Sequence, residues 1–579
     1  MKSFFIRLNR LLTITNKTKV DLIPLVFIFL FSGFLDIIGL GLLYPLAKIV
    51  IDPNYSLQIN YLQGFFSGFE DYSYKNYLLF FSITLVIIFF LRTAMSIITR
   101  LVIMKFAYKQ YANLQVRLLK CYQDMKYIDF LNQQSTVYIR NIKDLAKYCI
   151  DSLEACLRVI SESVVFLIII LYLIFFNPKI LLILGSIIFI ISYIFVFLLK
   201  PISYVYGKRI AEAYKSIYQT IDESIKGLKE IRIISKEKFF LNELDVAATK
   251  VYKNTLKESV INFSPRYILE LTIIIFIIGL IFFSLGNSGE KSTLLSTISV
   301  FAVAGARLLP SSSTIVNNMT ILNMSDYAIE VIYADLKKSK QYKENNLLSF
   351  KENKNFNEIN FNNISFKYPN SENYILKNCQ ISIKKGDCIG IMGASGSGKT
   401  TLINIFLGLL EPTSGEIYLD SLKKKSDHNA LSSFSSYMPQ DCFILENSIK
   451  ANICLEDNES KIDNKRINEA LKFSYLEKFV SNLPNKSETL IGENGVRISG
   501  GEAQRLVMAR IYYHNREILI MDEATNALDK KSEDIIIQNL EKLKGKKTII
   551  VVTHEKKILQ SFDKVYLLSD GKLHVEKNH

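Results

Sequence analysis

The sequence predicts a two-part chain: a multidomain membrane protein with six transmembrane helices, followed by an α/β domain built around a phosphate-binding loop. Two observations carry this. Apolar runs long enough to cross a bilayer recur up to about residue 316 and then stop. Far downstream, a glycine-rich stretch lies between an apolar strand pattern and a helix pattern. Composition agrees, since 49% hydrophobic and 22% charged residues over 579 positions average a very apolar half with an ordinary one.

The six runs are residues 22–49, 77–104, 159–176, 180–199, 267–285 and 294–316. Soluble helices rarely run this long without a charged face. Only Asn177, Pro178 and Lys179 separate the third run from the fourth, which implies a tight hairpin. Lys and Arg crowd residues 100–147 and 200–257 and are sparse in 52–75 and around Asn177 and Gly289. The positive-inside rule then places the basic segments and both termini in the cytoplasm. Those segments keep a helical pattern, so the membrane helices are expected to continue into the cytosol. Short elements at 128–131 and 225–228 are candidates for contact with the α/β domain. Residues 57–69 carry Leu, Ile and Phe at helical spacing and predict a small amphipathic helix on the outer face.

The net charge of +15 follows these loops, which points to membrane lipids as neighbours and to no nucleic-acid partner. Seven cysteines without paired or metal-type spacing imply reduced thiols. Residues 1–20 are polar and basic and lack the apolar core of a cleaved signal peptide.

Three arginines fall in or beside apolar runs: Arg92, Arg266 and Arg307. An arginine at a helix centre costs roughly 2.5–3.5 kcal/mol on insertion scales, so each needs a partner or a cavity. At about 1.5 Å per residue all three lie in the inner half of the bilayer. Asp36, Glu162 and Glu270 accompany them, and Glu270 is one turn from Arg266. Internal ion pairs are one reading; a cavity for an anionic headgroup is the other.

Residues 339–358 are dense in Lys, Asn and Glu and predict a linker between a membrane domain at 1–338 and an α/β domain at 359–579. Residues 359–368 alternate like an edge strand, and Tyr368 is placed to stack on an adenine. The loop itself is Gly393, Ala394, Ser395, Gly396, Ser397, Gly398, Lys399, Thr400 and Thr401. Its glycines let backbone N–H groups converge on one anion, and the following helix N-terminus adds partial positive charge. Lys399 would reach the β- and γ-phosphates, and Thr400 would put its hydroxyl on Mg²⁺. An apolar strand at 517–523 ends in Asp522, a metal ligand, and Glu523, a general base for attack on the γ-phosphate. Another at 548–553 ends at His554, where a donor can sense that phosphate.

At Ile498, Ser499, Gly500, Gly501, Glu502, Ala503, Gln504 and Arg505 the chain resembles the signature motif of ABC ATPases. The remaining motifs follow in family order: Tyr368, the phosphate loop, Gln440, the signature, Asp522 and Glu523, Ala527-Leu528-Asp529, and His554. Glu493 resembles an exporter-specific position just before the signature. Six spans followed by one such ATPase is the plan of an ABC exporter half-transporter. The membrane half is similar to the PglK-type flippases of lipid-linked oligosaccharides, on Leu294 to Phe301, Arg307-Leu308, Pro310-Ser311 and Pro265-Arg266-Tyr267.

The resemblance implies ATP and Mg²⁺ as cofactors, with Gln440 touching both the metal and the attacking water. It implies a homodimer in which Ser499, Gly500, Gly501, Glu502 and Asp529 of one copy help to close over nucleotide held by the other. The expected cargo is an anionic glycolipid, a polyprenyl pyrophosphate glycan moved from inner to outer leaflet, with Arg92, Arg266 and Arg307 at its headgroup. The expected location is a bacterial inner membrane, crossed several times, with the ATPase in the cytoplasm. A multidrug, lipid or peptide exporter is the alternative. Departures from the family pattern are Ile498, Glu502, Asn526 and Glu555.

Overall fold

A computed structural model of the chain describes residues 2–51, 74–176, 178–285, 291–346, 356–369, 371–420, 428–492, 495–523 and 530–578. It divides into two units, one of residues 1–125 and 132–343, the other of residues 126–131 and 344–579.

The first unit is helical. Ile23–Ile51, Tyr74–Gln123, Ala146–Phe176, Pro178–Tyr193, Glu237–Leu285 and Lys291–Asn346 overlap the six expected runs, and the fourth run, 180–199, is divided where a π-helical turn, Ile194–Leu198, follows Tyr193. Among the described residues, four helices are long and apolar enough to span a bilayer, and Leu181–Tyr193 is a shorter apolar one. Their outward side chains are apolar, with Phe90 73% and Leu182 72% exposed, as a lipid-facing surface requires. Two helices continue past an internal proline, Pro265 and Pro310. Gly207 lets Lys200–Lys226 approach Lys291–Asn346, because a Cβ there would lie 2.2 Å from the Met324 carbonyl oxygen.

The basic N-terminus also forms a helix, Lys2–Thr15. Its Leu8, Leu11 and Leu12 fall on one face and are buried with Leu114, Leu118, Leu145 and Leu153. The helix from Lys291 continues to Asn346, so the polar stretch after Ser339 begins as helix. The outer-face helix expected at 57–69 lies outside the described residues.

The second unit holds two sheets. Glu358–Phe366 (β1), Leu376–Lys384 (β2) and Ser414–Leu419 (β4) form an antiparallel sheet in the order β2-β1-β4. The alternation in β1 marks one buried face and not an open edge, since β1 is hydrogen-bonded on both sides. Cys388–Met392 (β3), Ser435–Met438 (β5), Ile518–Asp522 (β6), Thr548–Val552 (β7), Lys564–Ser569 (β8) and Lys572–Asn578 (β9) form the second sheet, ordered β5-β6-β7-β3-β8-β9. It is parallel except for β9. Every residue of β3, β6 and β7 is buried, as helix-covered parallel strands must be. The short helix Tyr127–Leu131 belongs to this unit, with Tyr127 and Ile128 against its core and Lys126 Nζ 3.1 Å from Glu411 Oε1. Residues 225–228, the other expected contact, belong to the first unit. All seven cysteines are free thiols.

Candidate functional site

Parallel pairing of β6, β7 and β3 brings their C-terminal ends to one edge, with Asp522 opposite Val552 and Val552 opposite Ile391. The loop after β3 therefore meets the ends of β6 and β7. It leads into the helix Lys399–Phe406, whose N-cap Gly398 has φ +103°. A side chain at Gly398 would be strained by that φ and would meet Ile375 Cγ2 at 2.8 Å. Gly393 is held by space, since a Cβ would lie 2.6 Å from the Leu568 carbonyl oxygen.

Lys399 is buried, and its ammonium donates to the carbonyls of Gly393 (2.8 Å) and Ala394 (3.1 Å). Those bonds curl the loop and hold the cation at its centre. Ser397 Oγ is buried in the same loop without a hydrogen-bond partner, a polar atom that a phosphate oxygen would satisfy. Thr400, Ala394, Ser395 and Gly396 are exposed, and Thr401 is buried with its Oγ1 3.5 Å from the Tyr368 hydroxyl. Tyr368 is half-buried, edge-on to Phe366.

Glu523 is where the strand ends converge. Its Oε2 accepts from Gln440 Nε2 at 3.1 Å, and its Oε1 lies 3.0 Å from His554 Nε2. His554 Nε2 is also 3.3 Å from Lys399 Nζ. One ring nitrogen cannot donate to Glu523 and accept from Lys399 together, so the tautomer selects one of the two. Glu523 has φ +48°, a left-handed backbone anchored by its amide on the Val552 carbonyl at 2.9 Å. This is local strain at a polar cluster.

Asp522, 7% exposed, has its carboxyl pushed above the usual range, first by burial and then by the charge of Glu523; Lys399 and the Tyr437 hydroxyl pull it back. Tyr437, which lies three residues before Gln440, was given no role by the sequence. Among the described residues no three His, Cys, Asp or Glu side chains form a metal cage. The Thr400 hydroxyl, Asp522 carboxylate and Gln440 amide are instead a partial set of hard oxygen donors. That suits Mg²⁺, which keeps waters and takes phosphate oxygens.

The signature forms the start of the helix Gly500–His514. Ser499 caps it: its amide and hydroxyl donate to Glu502 Oε2 at 2.7 and 2.8 Å, and the Glu502 amide donates back at 3.3 Å. Glu502 therefore completes a capping box. Gly500 and Gly501 form the first turn. Glu493, Asn526 and Asp529 lie outside the described residues.

In the helical unit, Arg92 and Arg307 converge on one carboxylate. Arg307 Nε and Nη2 donate to the two oxygens of Asp36 at 3.1 and 3.0 Å, and Arg92 Nε pairs with the same group. The Asp36 side chain is 2% exposed, against 21% for Arg92 and 18% for Arg307. Arg266 pairs along its own helix with Glu270 at 3.0 Å and is 64% exposed. Glu162 accepts from Ser311 Oγ at 2.7 Å. The sequence shows these acids, but not that Asp36 serves two arginines.

Residues 376–526 match the family described as ABC transporter, and residues 40–305 match the ABC transporter transmembrane region. ABC transporter B family member 13 of Arabidopsis thaliana is 37% identical over 226 residues, 38% of this chain and 18% of that protein. The ATP-dependent lipid A-core flippase of Ralstonia nicotianae is 35% identical over 225 residues, 37% of each chain. The alignments thus span well under half of either relative. A solved bacterial Atm1-family ABC exporter with ATP bound superposes with a TM-score of 0.75 at 17% identity, covering 96% of this chain and 95% of that one.

Proposed function

We propose that this ABC exporter half-transporter works as a homodimer that hydrolyses ATP to carry an anionic, lipid-linked oligosaccharide from the inner to the outer leaflet of a bacterial inner membrane. The ATPase part rests on the Lys399, Glu523, Gln440 and His554 constellation at the end of the parallel sheet. Loop amides and the Lys399 ammonium bind the β- and γ-phosphates, and Tyr368 stacks on the base. Thr400, Asp522 and Gln440 would hold Mg²⁺, which when bound would supply charge neutralisation at the phosphate oxygens. Glu523 takes a proton from the attacking water, and Gln440 and His554 fix the carboxylate for it. The signature residues Ser499, Gly500, Gly501 and Glu502, with Asp529, complete the site on the other copy. Closure follows because nucleotide binds the closed pair better than the open one.

The cargo assignment is carried by one observation, the two guanidiniums gathered on Asp36 inside the helical unit. Two arginines on one buried acid leave a cationic site where lipid tolerates none, which suits a pyrophosphate headgroup. Arg266, exposed one turn from Glu270, is the third proposed contact. A general lipid or multidrug exporter is the second reading, favoured by Glu162, a further acid among these helices. Proteoliposomes separate the two. Translocation of a labelled polyprenyl diphosphate oligosaccharide with ATP supports the first, and efflux of cationic amphiphiles without it supports the second.

A further inference from the structure

The Arg92–Asp36–Arg307 cluster has an arrangement that bears on which anions it admits. Asp36 is almost wholly buried, and both arginines are more exposed than it is. Among the described residues it accepts from Nε and Nη2 of Arg307 and is ion-paired with Nε of Arg92, and it is not bonded to Arg307 Nη1 or to either Arg92 Nη atom. Arg92 is further fixed by the Phe89 ring, 5.3 Å from its guanidinium carbon. An incoming anion therefore meets guanidinium edges with a fixed negative charge behind them.

We propose that Asp36 is a selectivity residue, which weakens the hold of the arginine pair on the monoanionic phosphodiester headgroups of bulk phospholipid and so favours a headgroup with two phosphoryl groups. The inference rests on the anionic-headgroup reading of this site. Two guanidiniums and one carboxylate leave about one net positive charge, where the bare pair would carry about two. A monoanionic phosphodiester therefore keeps only about half the attraction that the bare pair would exert. A diphosphate bridging Arg92 and Arg307 carries two charges and keeps about twice the attraction of the monoanion. Such a filter matters because a bare arginine pair inside a bilayer faces phospholipid at far higher concentration than any specialised glycolipid. Repulsion of the wrong ligand is as much a part of specificity as attraction of the right one.

The test uses the full chain in phosphatidylcholine vesicles, with phosphatidylglycerol or a polyprenyl diphosphate added, and reads ATP turnover. Wild type responds to the diphosphate and stays indifferent to phosphatidylglycerol. Asp36→Asn and Asp36→Ser gain stimulation by phosphatidylglycerol of about threefold or more, and Asp36→Glu stays indifferent. Thermal melting establishes which variants are folded. Folded neutral variants that ignore phosphatidylglycerol overturn the proposal, and so does failure of both to fold while Asp36→Glu folds, which makes the carboxylate purely structural. A wild type that ignores the diphosphate defeats the cargo reading instead, and the phosphatidylglycerol arm still reads Asp36.

Discussion

Gln440 Nε2 lies 3.1 Å from Glu523 Oε2, a hydrogen bond across 83 positions that joins the end of β5 to the end of β6. With His554 Nε2 3.0 Å from the other oxygen, the carboxylate is flanked on both sides by residues from separate strand ends. A general base needs its lone pairs aimed and its surroundings fixed before substrate arrives, and this is how the sheet edge does it.

Glu523→Gln keeps the shape and both neighbours but cannot take a proton. Phosphate release should fall by about 10²–10⁴-fold while nucleotide binding persists. Steady hydrolysis by this variant, measured beside equilibrium ATP binding, contradicts the base assignment.

Gly398→Ala should abolish ATP binding at the phosphate loop. The residue sits at φ +103° with Ile375 Cγ2 2.8 Å from any added Cβ. A left-handed non-glycine residue alone costs about 1–2 kcal/mol, and the contact adds to it. Isothermal titration with ATP reads the loss, and unaltered affinity contradicts the loop geometry.

Ser499→Ala removes the cap of the signature helix and leaves Glu502 without its hydroxyl donor. The expected destabilisation is about 0.5–2 kcal/mol, seen as a lower midpoint in thermal melting. Glu502→Gln, which can still accept the Ser499 bonds, should melt close to wild type.

His514 gives a pH dependence with a defined sign. Burial, then Arg516, Arg510 and Arg466, holds its imidazole below the ordinary value of 6.5. Above that value both folded and unfolded chains carry a neutral ring and the group contributes nothing. As pH falls below about 6.5 the unfolded chain takes up a proton that the folded one refuses, so stability declines until the folded ring also protonates. His514→Gln should flatten this slope in melting curves taken between neutral and mildly acidic pH.

The phosphate loop, the strands ending at Asp522 and before His554, and the Arg266–Glu270 pair were legible in the sequence because each is a local pattern, read within one strand–loop–helix or one turn. The unpredicted features are non-local or hidden by composition. Asp36 and Arg307 are 271 positions apart, and no spacing rule joins them. The amphipathic face of Lys2–Thr15 was masked by its basic residues, although Leu8, Leu11 and Leu12 already lay at helical spacing. The alternation of β1 gave its buried face correctly but not its neighbours, because period two reports burial and says nothing of pairing.

Arg92→Ala and Arg307→Ala should each impair glycolipid translocation more than basal ATP turnover, and the double variant should also lose stability. Removing both leaves Asp36 buried without a cation, and breaking a buried pair from one side costs about 3–5 kcal/mol. Arg266→Ala, which strips an exposed pair, should leave melting unchanged while reducing translocation.

The most direct test is ATP-driven movement of a labelled polyprenyl diphosphate oligosaccharide across proteoliposomes of the full chain. The account predicts transfer that stops in Glu523→Gln and weakens in Arg92→Ala and Arg307→Ala. Brisk ATP hydrolysis with no transfer of this lipid, beside transport of neutral or cationic compounds, would contradict it.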